Sequence, residues 1–191
     1  MEKLRIMFKN FFRQAWEIAK IIVVSLAIII PVRYFLVQPF LVKGSSMEPN
    51  FQDGNYLLID EISPRLRDYG RGDIIVFRFP QNHGIYLIKR IIGLPGEEVE
   101  IDNGRIYVWD AVGLKKIALI EPYLANGVLT LGSSRITLGQ NEYFVLGDNR
   151  AASSDSRSWG SVKKDNIVGK VWLRAWPIAE AGFFETPNYR P

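Results

Sequence analysis

Two residue types set in unusual surroundings suggest a chemistry. The first is a serine in Gly44-Ser45-Ser46-Met47-Glu48-Pro49, where small residues would let a polypeptide backbone approach Ser46 and Pro49 stiffens the chain beyond it. The second is Lys89, inside the apolar run Ile85-Tyr86-Leu87-Ile88-Lys89-Arg90-Ile91-Ile92-Gly93. Strand alternation puts Tyr86, Ile88, Arg90 and Ile92 on one face and Leu87, Lys89 and Ile91 on the other, so the lysine shares a face with aliphatic neighbours. Desolvation disfavours its charged form, and a neutral amine can take the proton of a serine hydroxyl. The same residues also suit duller roles: a Gly/Ser linker turn and a lysine reaching out at a sheet edge. A third stretch, Gly147-Asp148-Asn149-Arg150-Ala151-Ala152-Ser153-Ser154-Asp155-Ser156-Arg157-Ser158-Trp159-Gly160, crowds charged and hydroxyl side chains at the end of an apolar strand. Turn capping accounts for any few of them but less comfortably for all.

Several other chemistries are excluded. The chain has no cysteine, which removes disulfides, thiolate metal sites and a thiol nucleophile. Its one histidine, His83, cannot build a multi-histidine zinc site. It lies in the turn sequence Pro80-Gln81-Asn82-His83-Gly84, where exposure is expected rather than a catalytic role. Ser161-Val162-Lys163-Lys164 matches S-x-x-K, but the S-D-N and K-T-G partners of that motif are absent. No metal and no cofactor are expected.

The elements that would hold these residues fall into two parts. The stretch from Ile18 to Phe40 is apolar apart from Lys20, Ser25, Arg33 and Gln38. It reaches the roughly 20 residues of a bilayer span if Lys20 and Arg33 lie near the interfaces. Lys3, Arg5, Lys9, Arg13 and Lys20 outnumber Glu2 and Glu17 by three, out of +4 for all 191 residues. This places the N-terminus in the cytoplasm by the positive-inside rule. It leaves the rest nearly neutral, unlike a nucleic-acid-binding face. A cleavable secretory signal and a buried helix are the alternatives. No small-x-small site follows Ile30, and Pro31 is better tolerated in a span than in a soluble helix. The expected organisation is a cytoplasmic tail over 1–17, a transmembrane anchor over 18–38 and an extracytoplasmic domain over 39–191. That domain should be mostly β and antiparallel. Its expected strands are Tyr56–Asp60, Asp73–Phe79, Tyr86–Ile92, Glu97–Ile101, Arg105–Trp109, Glu142–Leu146 and Ile167–Trp176. Asn103-Gly104 forms a type I′ hairpin turn between two of them. The stretch 110–140 reads as a loop-rich insert.

Taken in order, these pieces resemble the type I signal peptidases. The anchor is followed by S-M-x-P (Ser46 to Pro49), R-G-D-I-I-V-F (Arg71 to Phe77), K-R-x-I-G-L-P-G (Lys89 to Gly96) and G-D-N-R-x-x-S-x-D-S-R-x-W-G (Gly147 to Gly160). The resemblance runs to about Trp176 and implies a membrane-bound serine endopeptidase. Such an enzyme removes signal peptides from exported preproteins after an Ala-x-Ala-like sequence, with preprotein and lipid bilayer as its partners. By that resemblance Ser46 is the nucleophile and Lys89 the general base. The Ser46 N–H serves the oxyanion, and Ser153 orients the Lys89 amine by a hydrogen bond. Asp148 supports the site, Asp155 and Arg157 form an ion pair beneath it, and Phe40, Val42 and Ile88 line substrate pockets. The implied location is a cell membrane, crossed once.

The chain departs from the family pattern in places. Gly44 stands where some members carry a serine that donates to the oxyanion hole. Asn50 replaces a usual threonine, with an expected loosening of the turn behind Ser46, and Ala152 replaces an asparagine. Trp172, Trp176 and Phe183-Phe184 suit a bilayer-facing patch, although Trp172 equally suits the core. Two other functions remain open: a self-cleaving Ser/Lys repressor-type protease, against which the apolar N-terminal segment argues, and an anchored peptide-binding module without catalysis.

Overall fold

The computed structural model describes residues 2–35, 37–63, 67–110, 115–184 and 186, with side chains for 13–29 and for the described positions from 38 on. By its internal contacts the chain divides into two units, Met1–Gln38 and Pro39–Pro191. In the first, one helix, α1 (Glu2–Phe35), passes through Pro31 without a break. Its apolar side chains from Trp16 to Ile29 are open to the surroundings on every side. Among the described residues no helix is long and apolar enough to cross a membrane. The part of the expected anchor beyond Ile29 has its side chains outside the described residues.

The second unit is built from strands, because its sequence alternates short β-branched and aromatic runs with Gly, Asn and Pro. The larger sheet has the order β1-β2-β11-β3-β4-β9-β10, with β12 added to β11. Its strands are β1 (Val37–Leu41), β2 (Tyr56–Asp60), β3 (Ile74–Phe79), β4 (Asn82–Gly93), β9 (Glu142–Leu146), β10 (Val162–Lys163), β11 (Ile167–Trp176) and β12 (Gly182–Phe183). From β2 onward the pairings in both sheets are antiparallel. Four expected strands, Tyr56–Asp60, Arg105–Trp109, Glu142–Leu146 and Ile167–Trp176, appear with the expected bounds, and the other three within a few residues.

β4 is the main departure. It begins at Asn82, because Phe79 pairs with Asn82 across a tight Pro80-Gln81 turn. His83 is therefore an exposed strand residue and not a turn residue.

The 110–140 stretch is more ordered than its sequence suggests. β7 (Lys116–Ala118) and β8 (Ser134–Thr137) flank β5 (Glu98–Asp102) and β6 (Arg105–Trp109) in a second sheet of order β7-β6-β5-β8. β7 and β8 have no clear alternation of their own and acquire it by pairing. Asn103 and Gly104 have φ of 48° and 77°, as the expected hairpin turn requires. Residues 111–114 lie outside the described residues.

Three apolar clusters hold the unit together. One joins Val42, Met47 and Phe51 to Leu57, Ile59, Ile74, Val76 and Val171. A second fills the smaller sheet and the ends of β4 and β9. A third, around Tyr69, Ile75, Phe77, Ile91, Tyr143 and Val145, lies on the larger sheet.

Candidate active site

Ser46 is held by a turn with buried feet. Met47 and Phe51 are fully buried in the first cluster. The Phe51 N–H donates to the Met47 carbonyl at 2.9 Å, and the Glu48 N–H to that of Ser45 at 3.1 Å. Gly44 enters the turn at φ 85°, a left-handed conformation that favours glycine. Its N–H donates to Asp53 Oδ1 at 2.7 Å. Anchored on both sides, Ser46 itself stays partly accessible.

Lys89 reaches this turn from β4. Its Nζ lies 2.7 Å from Ser46 Oγ and 2.9 Å from the Ile88 carbonyl oxygen. The residue is only 3% exposed. Burial brings its ammonium down from 10.5 to about 8, against the opposing pull of Asp155 and Asp148. Strand alternation sends the neighbouring Arg90 elsewhere. Its guanidinium makes a bidentate, buried ion pair with Asp148, at 2.8 and 2.7 Å. It also donates to the Gly72 carbonyl at 3.0 Å and lies 3.8 Å from the centre of the Tyr123 ring.

The polar loop after β9 closes the site. The Asn149 N–H donates to the Ser46 carbonyl at 3.0 Å, and Asn149 Nδ2 to that of Ser45 at 3.1 Å. Gly147 packs so tightly that an added Cβ would lie 2.2 Å from Ser153 Oγ and 2.4 Å from the Ser46 carbonyl oxygen. The Gly147 N–H donates to Asp155 Oδ2 at 3.1 Å. Asp155 is fully buried and pairs with Arg157, whose Nε lies 2.8 Å from Oδ1 and Nη2 2.9 Å from Oδ2. It also caps the short helix α2 (Ser156–Trp159), accepting from the Arg157 N–H.

Two expectations need correction. Ser153 does not bond the lysine: its Oγ is buried without a hydrogen-bond partner, and the Ile88 carbonyl accepts from the amine instead. Asn50 does not loosen the turn behind Ser46. Its Nδ2 donates to Asp148 Oδ2 at 2.8 Å and to the Tyr123 carbonyl at 3.1 Å, tying the turn to two other segments. The sequence did not show that Arg90, Glu121 and Tyr123 belong around the site. An arginine beside the lysine was a visible signal; its partners, 58 and 33 positions away, were not.

A groove of about 420 Å³ opens at Ser46 and Lys89, lined by Phe40, Val42, Val76, Tyr86 and Ile88 among others. Phe40 and Tyr86 meet edge to face at 5.6 Å across it. All three residues expected in substrate pockets, Phe40, Val42 and Ile88, thus lie beside the pair. No cluster of three or more metal-ligating side chains occurs among the described residues.

A hydroxyl against a desolvated amine, opening onto an apolar groove, is the equipment of acyl transfer to serine. Comparison with known proteins agrees on the class. The sequence profile of the family described as signal peptidase, peptidase S26, matches residues 15–176. A probable signal peptidase I-2 of Synechocystis is 36% identical over 171 residues, covering 87% of this chain and 75% of its own length. A signal peptidase I of Bacillus amyloliquefaciens is 38% identical over 164 residues, covering 81% of each. A signal peptidase IB of Staphylococcus aureus is 34% identical over 187 residues, covering 89% and 92%. The chain belongs to the signal peptidase family, peptidase S26, and is a hydrolase of the serine protease class.

Proposed function

We propose that the protein is a membrane-bound endopeptidase that removes signal peptides from exported preproteins, cutting after an Ala-x-Ala-like sequence with Ser46 and Lys89 as its dyad. The observation that carries this reading is the 2.7 Å approach of Ser46 Oγ to a lysine amine that burial has brought down to about 8. The neutral amine gives one N–H to the Ile88 carbonyl and keeps its lone pair for the Ser46 hydroxyl proton. Ser46 Oγ attacks the scissile carbonyl carbon, the proton passes to Lys89 Nζ, and Lys89 then protonates the departing amine. The Ser46 N–H faces the developing oxyanion, a donor of a kind worth around 3 kcal/mol of barrier. Gly44 offers no side-chain donor to it. Asp155, through Gly147 and Arg157, keeps the loop closed over the serine, and Phe40, Val42 and Ile88 receive the small side chains before the cut.

Membrane attachment, with the N-terminus cytoplasmic and the catalytic unit on the other side, is part of the same proposal. It is supported by the exposed Ile18, Ile21, Ile22, Val23, Val24, Leu26, Ile28 and Ile29 of α1, an apolar surface of the kind that marks a membrane or partner contact. A second apolar surface is formed by exposed Trp172, Trp176, Ile178 and Phe183, with the tilted rings of Trp172 and Phe183 5.2 Å apart between centres. Tryptophan at such a place suits the headgroup region.

The test is incubation of the detergent-solubilised chain with a preprotein bearing an Ala-x-Ala site, beside Ser46→Ala and Lys89→Ala. The expected result is cleavage after the last alanine by the parent alone, with both variants folded. A folded parent that leaves several such preproteins intact refutes the reading, and an anchored peptide-binding module takes its place.

A further inference from the structure

We propose that the loop between β7 and β8 is a clamp on the catalytic loop, with Glu121 and Tyr123 as positioning residues for the dyad; the inference rests on the signal-peptidase function proposed above. Arg150 links the two loops. It is almost fully buried, and its Nε donates to the Gly147 carbonyl at 3.0 Å. Both of its terminal nitrogens then turn away from the site and into the smaller sheet's loop. Nη1 donates to Glu121 Oε2 at 3.0 Å and to Thr130 Oγ1, and Nη2 to Glu121 Oε1 and, at 3.2 Å, to Tyr123 Oη. Glu121 is thus the carboxylate that compensates a buried cation. A buried cation that loses its carboxylate has to be rehydrated or displaced.

Displacing Arg150 would release Gly147, and Gly147 cannot move alone. The space where its Cβ would stand is already taken by Ser153 and the Ser46 carbonyl. The next peptide but one carries the Asn149 N–H that bonds that same carbonyl. A second strut runs in parallel. The Tyr123 ring covers the Arg90 guanidinium at 3.8 Å while Arg90 holds Asp148, and the Tyr123 carbonyl accepts from Asn50, which also bonds Asp148. A third contact returns from the catalytic side, where Arg157 Nη1 donates to the Leu131 carbonyl at 3.4 Å. The loop therefore touches Arg150, Arg90 with Asp148, and Arg157, the charged groups that fix the backbone around Ser46. The Lys89 amine bonds the Ser46 hydroxyl and the Ile88 carbonyl, not a side chain of this loop.

The test compares Glu121→Gln, Tyr123→Phe and Tyr123→Ala with Arg135→Ala in the full chain in detergent. Arg135 pairs with Glu98 on the same small sheet, in β8 just past this loop and outside its bonds to Arg150, Asn50 and Arg157, so its variant reports general weakening of that sheet. For Glu121→Gln the expected result is a 10- to 100-fold fall in kcat with KM within about threefold and the apparent pKa of the activity profile unchanged. Tyr123→Phe, which keeps the ring on Arg90, should lose only a few-fold, and Tyr123→Ala much more. Arg135→Ala should keep the parent kcat. Hydrogen exchange at the Gly147 and Asn149 amides, which needs no substrate, should accelerate at least tenfold in Glu121→Gln and not in Arg135→Ala. Parental kcat and unchanged exchange in Glu121→Gln and Tyr123→Ala would overturn the clamp. If the parent itself is inert on preproteins, the proposed function fails, and the exchange measurement alone decides whether the clamp exists.

Discussion

Replacing Lys89 by methionine should make the protein more stable at neutral pH and less stable at high pH. Burial lowers the Lys89 ammonium from 10.5 to about 8. At pH 7 the amine is protonated in both folded and unfolded chains, so the fold carries the whole cost of that difference, about 3 kcal/mol. Methionine has nearly the same length and no charge to desolvate. It forfeits the contacts with Ser46 Oγ and the Ile88 carbonyl, worth about 1 kcal/mol each. The net expectation at pH 7 is a gain of about 1–2 kcal/mol, or roughly 2–8 °C in Tm. The sign follows from proton counts. Between about 8 and 10.5 the unfolded chain binds more protons at this position than the folded one, so the parent gains stability there as pH rises. The penalty shrinks to about 1 kcal/mol near pH 9.5 and vanishes above 10.5. With the penalty gone only the lost hydrogen bonds remain, and the parent becomes the more stable by about 1–2 kcal/mol. Thermal unfolding of both chains in the same detergent, followed by tryptophan circular dichroism from pH 7 to 11, reads this directly. A constant Tm difference across that range would show that Lys89 is not desolvated in the fold, and the argument for it as a base would collapse.

The same amine sets the pH profile: kcat/KM should level off above about pH 8 and fall tenfold per unit below it, and full activity at pH 6 would exclude Lys89 as the base. Gly147→Ala puts a Cβ where Ser153 Oγ and the Ser46 carbonyl now stand, so the expected outcome is at least a 100-fold loss of kcat in a chain that still folds; normal turnover would mean the loop yields freely. Asp148→Ala leaves the buried Arg90 guanidinium without its carboxylate, a loss of about 3–5 kcal/mol in denaturant unfolding; a change under 1 kcal/mol would show that water reaches it. Ser153→Ala removes a buried hydroxyl that has no partner, and should raise stability by about 1 kcal/mol; a clear loss in the same unfolding measurement would reveal a bond to that oxygen.

What could be read from the sequence depended on how far apart the partners were. The alternation of β2 and β6 and the apolar runs of β9 and β11 are local signals, and those strands were legible to the residue. So was the Asn103-Gly104 turn, which is set by two residues. β7 and β8 have too few alternating positions to show, and they exist because β6 and β5 offer them open edges. His83 was misplaced because a two-residue turn at Pro80-Gln81 lets the strand begin earlier than the Asn-His-Gly composition suggests. At the site, a lysine inside an apolar strand was conspicuous, and the family pattern named its serine. The long-range ties of Arg90, Asn50 and Arg150 had no local signature, since each joins segments tens of residues apart. Ser153 was assigned an orienting bond by resemblance; here the lysine's own strand supplies the acceptor, in the carbonyl of the residue before it.

Ser46, Lys89 and the loop beginning at Gly147 come from three distant parts of the chain, and the folded unit brings them together with Lys89 buried. An unfolded copy keeps its lysine near 10.5, with about one amine in 3000 neutral at pH 7; in the folded unit about one in 10 is. On the proposed dyad, maturation of the polypeptide and ignition of its chemistry are one event. An unfolded chain therefore holds almost no competent base, and its chemistry begins only with folding.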